Sequence, residues 1–270
     1  MSLNNDAEDH PLAKAYRHFR FPEPPPRIQW EGEAELERLD APAAVPPPFD
    51  WRKLVPLSPA SHQGRCNACT SFAIAATIEA HWLIAHRDQP ISVSAGFIHT
   101  CLGHRGNADA HAVCQSGVDL FAALALVRTA GFAQRRIGDY PFPATSCPTT
   151  GVSPGLRRFA AVRSAADAMR EIATRGPIVA DMYIWADFFD YTTTRAPAYV
   201  PDVTREGPYP HSVCVVGFDA RGWIIRNSLG PTWGDGVGCA VVPYGLCALL
   251  GGAPPPGGVA RQAYAIELAV

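Results

Sequence analysis

Between Asn67 and Arg87 the apolar residues Phe72, Ala75, Ala76, Ile78, Trp82 and Leu83 recur at helical spacing, which predicts a helix. Ser92-Val93-Ser94 reads as the cap of a short helix through Thr100, and Gly117 to Ala130 as another helix, ended by Gly131. After about residue 175 the pattern changes to short β-type runs. These are Pro177 to Ile184, Ser212 to Phe218, Trp223 to Arg226, Val237 to Val242 and Ala263 to Leu268. Helices first and strands afterwards predict two lobes, with the boundary near Pro148 to Gly155. If Asp219 to Gly222 is a two-residue hairpin, direct pairing sets Cys214 opposite Asn227, with His211 some three residues further along.

Residues 1–48 read as an extension. Pro22 to Pro26 and Pro42 to Pro48 lack the backbone donors that regular structure needs, and Glu31 to Leu39 between them predicts one short charged helix. Two readings stay open for it, a disordered tail or a segment that lies across the site and restrains it.

A chain of 270 residues with 47% hydrophobic residues can bury a substantial core, and its 26 prolines and 23 glycines predict many irregular connections. The formal net charge of −2 supplies no basic field for nucleic acid. No apolar run reaches the ~20 residues that a membrane-spanning helix needs. The first ten residues are acidic and polar, unlike a secretory leader, while eight cysteines point to an oxidising destination. Together these predict a protein that is secreted, periplasmic or otherwise delivered outside the producing cell, acting as a monomer.

The chemistry concentrates around Gln63-Gly64-Arg65-Cys66-Asn67-Ala68-Cys69, where a loop runs into a helix. A thiol at a helix N-terminus meets the positive end of the backbone dipole, which favours the nucleophilic thiolate. His211 opens an apolar strand-like run and Asn227 closes another, 142 and 158 residues beyond Cys69.

Three segments carry a family resemblance. Phe49-Asp50-Trp51-Arg52 followed by Gln63 to Cys69 resembles the start of a mature papain-like cysteine protease. His211-Ser-Val-Cys-Val-Val-Gly-Phe resembles that family's histidine strand, and Asn227-Ser228-Leu229-Gly230-Pro-Thr-Trp233-Gly its asparagine motif. The resemblance implies an α+β fold of two lobes, a helical one over about 58–150 and an antiparallel β-barrel-like one over about 151–270, with the active site in the cleft between them. It implies a cysteine endopeptidase that cuts protein or peptide substrates through a thioester, with no cofactor and no metal. Cys69 is then the nucleophile, His211 the base, Asn227 the residue that orients the imidazole, and Gln63 an oxyanion donor beside the Cys69 backbone N–H. Two other classes remain: a papain-fold protein that binds peptides or partners without turnover, and an acyl transferase that uses an amine in place of water.

This chain departs from the family at two places. Thr70 follows the cysteine and Leu229 stands two residues after the asparagine, where the family carries tryptophans. Trp233 keeps the motif's second tryptophan position, and leucine still excludes water.

The resemblance also implies disulfides Cys66–Cys114 and Cys101–Cys147, leaving Cys214, Cys239 and Cys247. Cys214 reads as a small buried hydrophobe, and a Cys239–Cys247 bridge is a further option. Redox and zinc readings of Cys66-Asn-Ala-Cys69 lack the preceding βαβ unit or second tight cysteine pair that each needs. His62, His81, His86, His99, His104 and His111 need no chemical role. His81 and His86 read as surface or capping residues, and His104 to His111 as a solvated loop. For substrate, the resemblance assigns Ser116 and Gly117 to backbone pairing with an extended peptide. It assigns Val118, Asp119, Asp181, Tyr209 and Pro210 to the pocket for the residue second upstream of the cut. Two acidic members there predict a preference for basic or polar side chains.

Overall fold

The computed structural model describes residues 46–87, 89–107, 109–135, 147, 152–251 and 262–269. The Glu31 to Leu39 helix, the extension up to residue 45 and most of the expected lobe boundary lie outside the described residues.

Helix α1 (Cys69–Ala85) is the hub. Eleven of its 17 residues are buried, including Phe72, Ile74, Ile78 and Leu83, so it is a core helix with apolar contacts on most sides rather than a surface helix with one stripe. The Ser94 hydroxyl accepts from Phe97 N, as the capping pattern suggests. The segment it caps is a π-helix over Phe97–Gly103, wider than an α-helix and running past Thr100. Two α-helices come next, α2 (Ala110–Gln115) and α3 (Leu120–Ala130). Gly131 ends α3 at φ +81°, and a Cβ there would lie 2.2 Å from Ser153 O, so glycine alone fits.

The strands are β1 (Phe49–Asp50), β2 (Phe132–Ala133), β3 (Val152–Ser153), β4 (Leu156–Ala161), β5 (Ile178–Ile184), β6 (Tyr209–Asp219), β7 (Gly222–Arg226), β8 (Cys239–Val242) and β9 (Ala263–Leu268). Seven of them form one antiparallel sheet in the order β4-β9-β5-β6-β7-β8, with β1 paired to the far end of β6, while β2 and β3 pair separately. Among the described residues no pairing joins β4 to β8, so the sheet is open and not a closed barrel. One helix, α4 (Ala165–Thr174), precedes the strand-rich segment, at residues to which the sequence assigned no element.

Burial falls into two main cores. One gathers α1, the π-helix and α3 against Leu156, Val179, Tyr264, Ile266 and Leu268 of the sheet. The other packs Ala168, Met169 and Ile172 of α4 with Ile178, Ala180, Val213, Val215, Trp223 and Phe188. The helical half thus rests on β4, β9 and β5, and α1 lies along β6 with Cys214, Val216 and Ile224 near the crossing. Disulfides Cys66–Cys114 and Cys101–Cys147 tie loops on the helical side.

Several expectations need correction. The β6–β7 turn is the two-residue hairpin foreseen, with Asp219 opposite Gly222, but Cys214 faces Arg226 and not Asn227. The register shifts between Val215 and Gly217, and a bulged residue of this kind displaces every partner beyond it by one. Cys239 and Cys247 form no bridge; both are buried thiols, as is Cys214. The strand expected from Val237 starts at Cys239, and Val237 is exposed. His81 is no cap, since its Nε2 lies 2.8 Å from Pro177 O and its ring packs on Gly176. His86 does cap α1, its backbone N–H bonding to Trp82 O. The loop after His104 is not simply solvated: α2 forms there, and the His104 ring packs edge-on to the fully buried His99 at 4.7 Å.

Candidate active site

The loop before α1 is fastened from both sides. Asn67 N donates to Cys114 O, Asn67 Nδ2 donates to Gln115 O, and the Cys66–Cys114 disulfide closes the same loop. Opposite, residues 61–63 run antiparallel to 228–230: Gln63 N donates to Ser228 O at 2.8 Å and Gly230 N to Ser61 O at 3.0 Å. Cys69 is therefore held at the first position of α1 by contacts from both halves. Its N-cap residue, Ala68, offers no side-chain acceptor, so the helix N-terminus keeps its positive end turned to whatever sits beside Cys69.

His211 and Asn227 meet. His211 Nε2 lies 2.8 Å from Asn227 Oδ1, with both residues buried. That carbonyl also accepts from Ser228 N at 2.8 Å, which fixes the amide orientation. An oxygen acceptor on Nε2 requires Nε2 to carry hydrogen, leaving Nδ1 as the nitrogen that exchanges a proton. Burial pushes the His211 pKa down to about 4, opposed by the Asn227 bond and by the negative charge of Asp181. The Phe188 ring meets the imidazole edge-on at 5.4 Å, and the buried Trp233 packs tilted against Phe188 at 4.8 Å while donating to its carbonyl. Leu229 is buried as well, in the same apolar core as Phe188 and Trp233.

Gln63 is fully buried. Its Oε1 accepts from Ser228 Oγ at 2.6 Å and its Nε2 donates to Cys66 O at 3.0 Å, so the amide faces the Cys69 loop in one orientation.

Two side chains that sequence reading did not count as site residues join the two halves. Thr70 Oγ1 and Ser212 Oγ are 2.9 Å apart, and Ser212 Oγ donates to Asp181 Oδ1 at 2.6 Å. Thr70 follows Cys69 and Ser212 follows His211, so this bond ties the segment that carries Cys69 to the one that carries His211. No spacing in the sequence announces it; a hydroxyl in place of tryptophan at position 70 was its one signal.

Among the pocket candidates, Asp181 lies on β5 with Ser212 directly opposite, and Tyr209 and Pro210 begin β6 across from Ile184 and Tyr183. Val118 is buried beside Gly103, and Ser116 is exposed at the end of α2. Asp119 is the N-cap of α3, accepting from Ala122 N. Both acidic candidates thus already accept hydrogen bonds inside the protein. No cluster of three or more metal-ligating side chains occurs among the described residues, and no helix there is long and apolar enough to cross a membrane.

A cysteine at a helix N-terminus, a histidine bonded to an asparagine and a glutamine amide facing the cysteine's loop are all carried by one α+β fold. The family described as "Papain family cysteine protease" matches residues 45–242, and the chain belongs to it. Relatives include ananain of Ananas comosus, 29% identical over 78% of this chain and 60% of its own length. Cathepsin 7 of Rattus norvegicus is 27% identical, covering 71% of this chain and 59% of its own. The chain spans about 60% of the length of these curated relatives. Among solved structures, that of mite allergens Blo t 1 and Der p 1 superimposes with TM-score 0.61 at 25% identity, covering 86% of this chain and 74% of its own. Digestive procathepsin L 3 of Tenebrio molitor gives TM-score 0.62 at 22% identity, covering 83% and 71%, and shares the fold.

Proposed function

We propose that this chain is a cysteine endopeptidase acting through a Cys69–His211 thiolate–imidazolium pair. The observation that carries the reading is the 2.9 Å bond between Thr70 and Ser212, which binds the neighbour of the thiol to the neighbour of the imidazole. The Cys69 thiolate attacks the substrate carbonyl carbon, and the oxyanion is received by the Cys69 backbone N–H and a Gln63 Nε2 hydrogen. Collapse expels the amine, which takes its proton from His211 Nδ1, and leaves a thioester on Cys69. Water then gives its proton to His211 and its oxygen to the acyl carbon, which releases the acid and the thiolate. Asn227 holds the ring throughout.

Substrates are proteins or peptides lying extended along Ser116 and Gly117, with Val118, Asp119, Asp181, Tyr209 and Pro210 around the second upstream side chain. Residues 1–48 restrain the site, a role supported by the procathepsin architecture of a solved relative. A comparison of the full chain with a form beginning at Phe49 tests that role, and equal rates remove it. Phe49 itself must stay, because β1 pairs with Phe218 and Gly217 of β6. The enzyme works outside the producing cell as a monomer, without cofactor, metal or nucleic acid.

The central test is peptide cleavage by the parent and by Cys69→Ala, with covalent trapping of Cys69 by an epoxide-type thiol inhibitor. Cleavage lost in the variant and blocked by the inhibitor supports the proposal. A folded parent that is trapped yet cleaves no member of a peptide library is a peptide binder instead. Product masses in the presence of an added amine identify acyl transfer.

A further inference from the structure

Thr70, Ser212 and Asp181 form a buried hydrogen-bonded row across the seam between α1 and the sheet. Their residues are 4%, 3% and 7% exposed, and the links measure 2.9 Å and 2.6 Å. Ser212 has one hydroxyl hydrogen, which goes to the Asp181 carboxylate. Its oxygen is then left to accept, so Thr70 donates and the row runs in one direction, Thr70 to Ser212 to Asp181. The carboxylate makes the Ser212–Asp181 link charge-assisted, and the polarised Ser212 hydroxyl is in turn a better acceptor for Thr70. The row ties the first turn of α1 to the middle strands, one residue beyond the proposed nucleophile and one beyond the proposed base.

We infer that Asp181 is a positioning residue for the Cys69–His211 pair. Through Ser212 and Thr70 it locks the nucleophile's helix onto the histidine's strand, and its carboxylate is the fixed negative charge that favours the imidazolium. The inference rests on the peptidase reading and adds to it a residue of the strand next to His211. It departs from the sequence expectation that Asp181 selects basic side chains, because the carboxylate is spent on the seam.

The charged and titratable surroundings of His211 make Asp181 the group to test. Asn227, beyond β7, bonds the ring and is uncharged. Arg226 of β7 turns its guanidinium to Ser58 and Glu79. Asp187, next to Phe188, accepts from Tyr199 and from Asp202 N. Asp181 lies on the adjacent strand, opposite Ser212, and its negative charge favours the protonated ring.

The pH profile of kcat/KM for Asp181→Asn is the test, with the same profile for Asp181→Glu, Ser212→Ala and Thr70→Val. Asparagine still accepts from Ser212 but carries no charge. The alkaline limb, where the imidazolium is lost, should move to lower pH by about one unit, the size expected for removing a nearby opposite charge. At a pH above that limb the loss in kcat should be about tenfold with KM little changed, and Asp181→Glu should restore the limb. Thr70→Val should lower kcat while leaving the limb in place, since the charge remains. A folded Asp181→Asn with the parent's pH profile overturns the inference, as does a KM change confined to substrates with a basic second upstream residue. If that variant does not fold, Ser212→Ala takes its place. It breaks the row while leaving the charge, so kcat must fall with the limb in place, as for Thr70→Val, and a parent-like kcat overturns the inference. Cys69-dependent cleavage by the parent stands or falls separately, so failure here does not count against the peptidase reading.

Discussion

Replacing Asn227 by alanine isolates the bond that orients the imidazole. In the parent, Asn227 Oδ1 accepts twice at 2.8 Å, from His211 Nε2 and from Ser228 N. His211 is 1% exposed and Ser228 5%, so water does not already compete for either donor. Alanine orphans both. A buried donor left without its acceptor costs about 1–3 kcal/mol, so the folded state should lose about 2–4 kcal/mol, allowing one water to enter the vacated space. The catalytic share is the His211 part alone. Without the acceptor the ring chooses between tautomers and rotates, and a bond worth about 1.5–2.5 kcal/mol converts to a 10- to 100-fold loss in kcat/KM. Three measurements separate the terms: kcat/KM on a peptide amide, thermal denaturation, and the alkylation rate of Cys69 by a small neutral thiol reagent. Hydrolysis should fall further than alkylation, because only hydrolysis needs the ring to deliver a proton to a leaving amine. A folded Asn227→Ala whose kcat/KM stays within about twofold, less than about 0.5 kcal/mol, would refute the idea that this hydrogen bond fixes the base.

Four other perturbations have outcomes set by the same structure. Gly238 sits at φ +83°, and a Cβ there would meet Ala60 Cβ at 2.2 Å and Gly230 O at 2.9 Å; Gly238→Ala should therefore destabilise by about 3 kcal/mol or more, read by denaturant melting. Reducing either disulfide frees a sequence separation of 48 or 46 residues, so thermal stability should drop by about 4 kcal/mol per bridge on the chain-entropy account, checked by melting with and without reductant. Burial, with the neighbouring His104, pushes the His99 pKa from 6.5 down to about 3, so the unfolded chain binds a proton below pH 6.5 that the native state refuses. Stability should fall as pH drops from about 6.5 towards 4, by up to about 3 kcal/mol from this residue, and His99→Gln should flatten that slope in melts at pH 7 and 4.5. Gln63→Ala should lower kcat by about 100-fold with little change in KM if its amide serves the oxyanion, and an unchanged kcat removes that role.

Much of the fold was legible because its signals are local. The β5, β7 and β9 strands stand where their short β-type runs put them, and α1 and α3 begin and end within a few residues of the pattern. Helix α4 escaped because its one buried stripe, Ala168, Met169 and Ile172, is short and set among charged residues between two strands. The π-helix has no periodicity of its own in sequence, so Phe97 to Gly103 could be read only as helical. The hairpin register failed at Val216, since a bulge is an uncounted residue that no turn chemistry reveals. Cys239 and Cys247 show the limit of family arithmetic: two leftover cysteines nearby in sequence fold into separate buried places.

Motif order singled out Cys69, His211, Asn227 and Gln63, yet it could not say how the halves are held in register, because that register depends on residues that belong to no motif. Here the seam is polar. Gln63 reaches Ser228, residues 61–63 pair with 228–230, and Thr70 reaches Ser212 and through it Asp181. Apolar packing alone would let α1 slide against β6 by a few tenths of an ångström at little cost, whereas hydrogen bonds weaken steeply with distance and angle. A tryptophan after the nucleophile would fill this place by bulk. Threonine leaves a hydroxyl there, and the chain spends a buried carboxylate on the strand beside the histidine's to give that hydroxyl a fixed partner. Deleting Thr70's hydroxyl in Thr70→Val should therefore cost more rate than stability, and a variant that loses about 1 kcal/mol of stability with kcat/KM untouched would show that the seam serves folding alone.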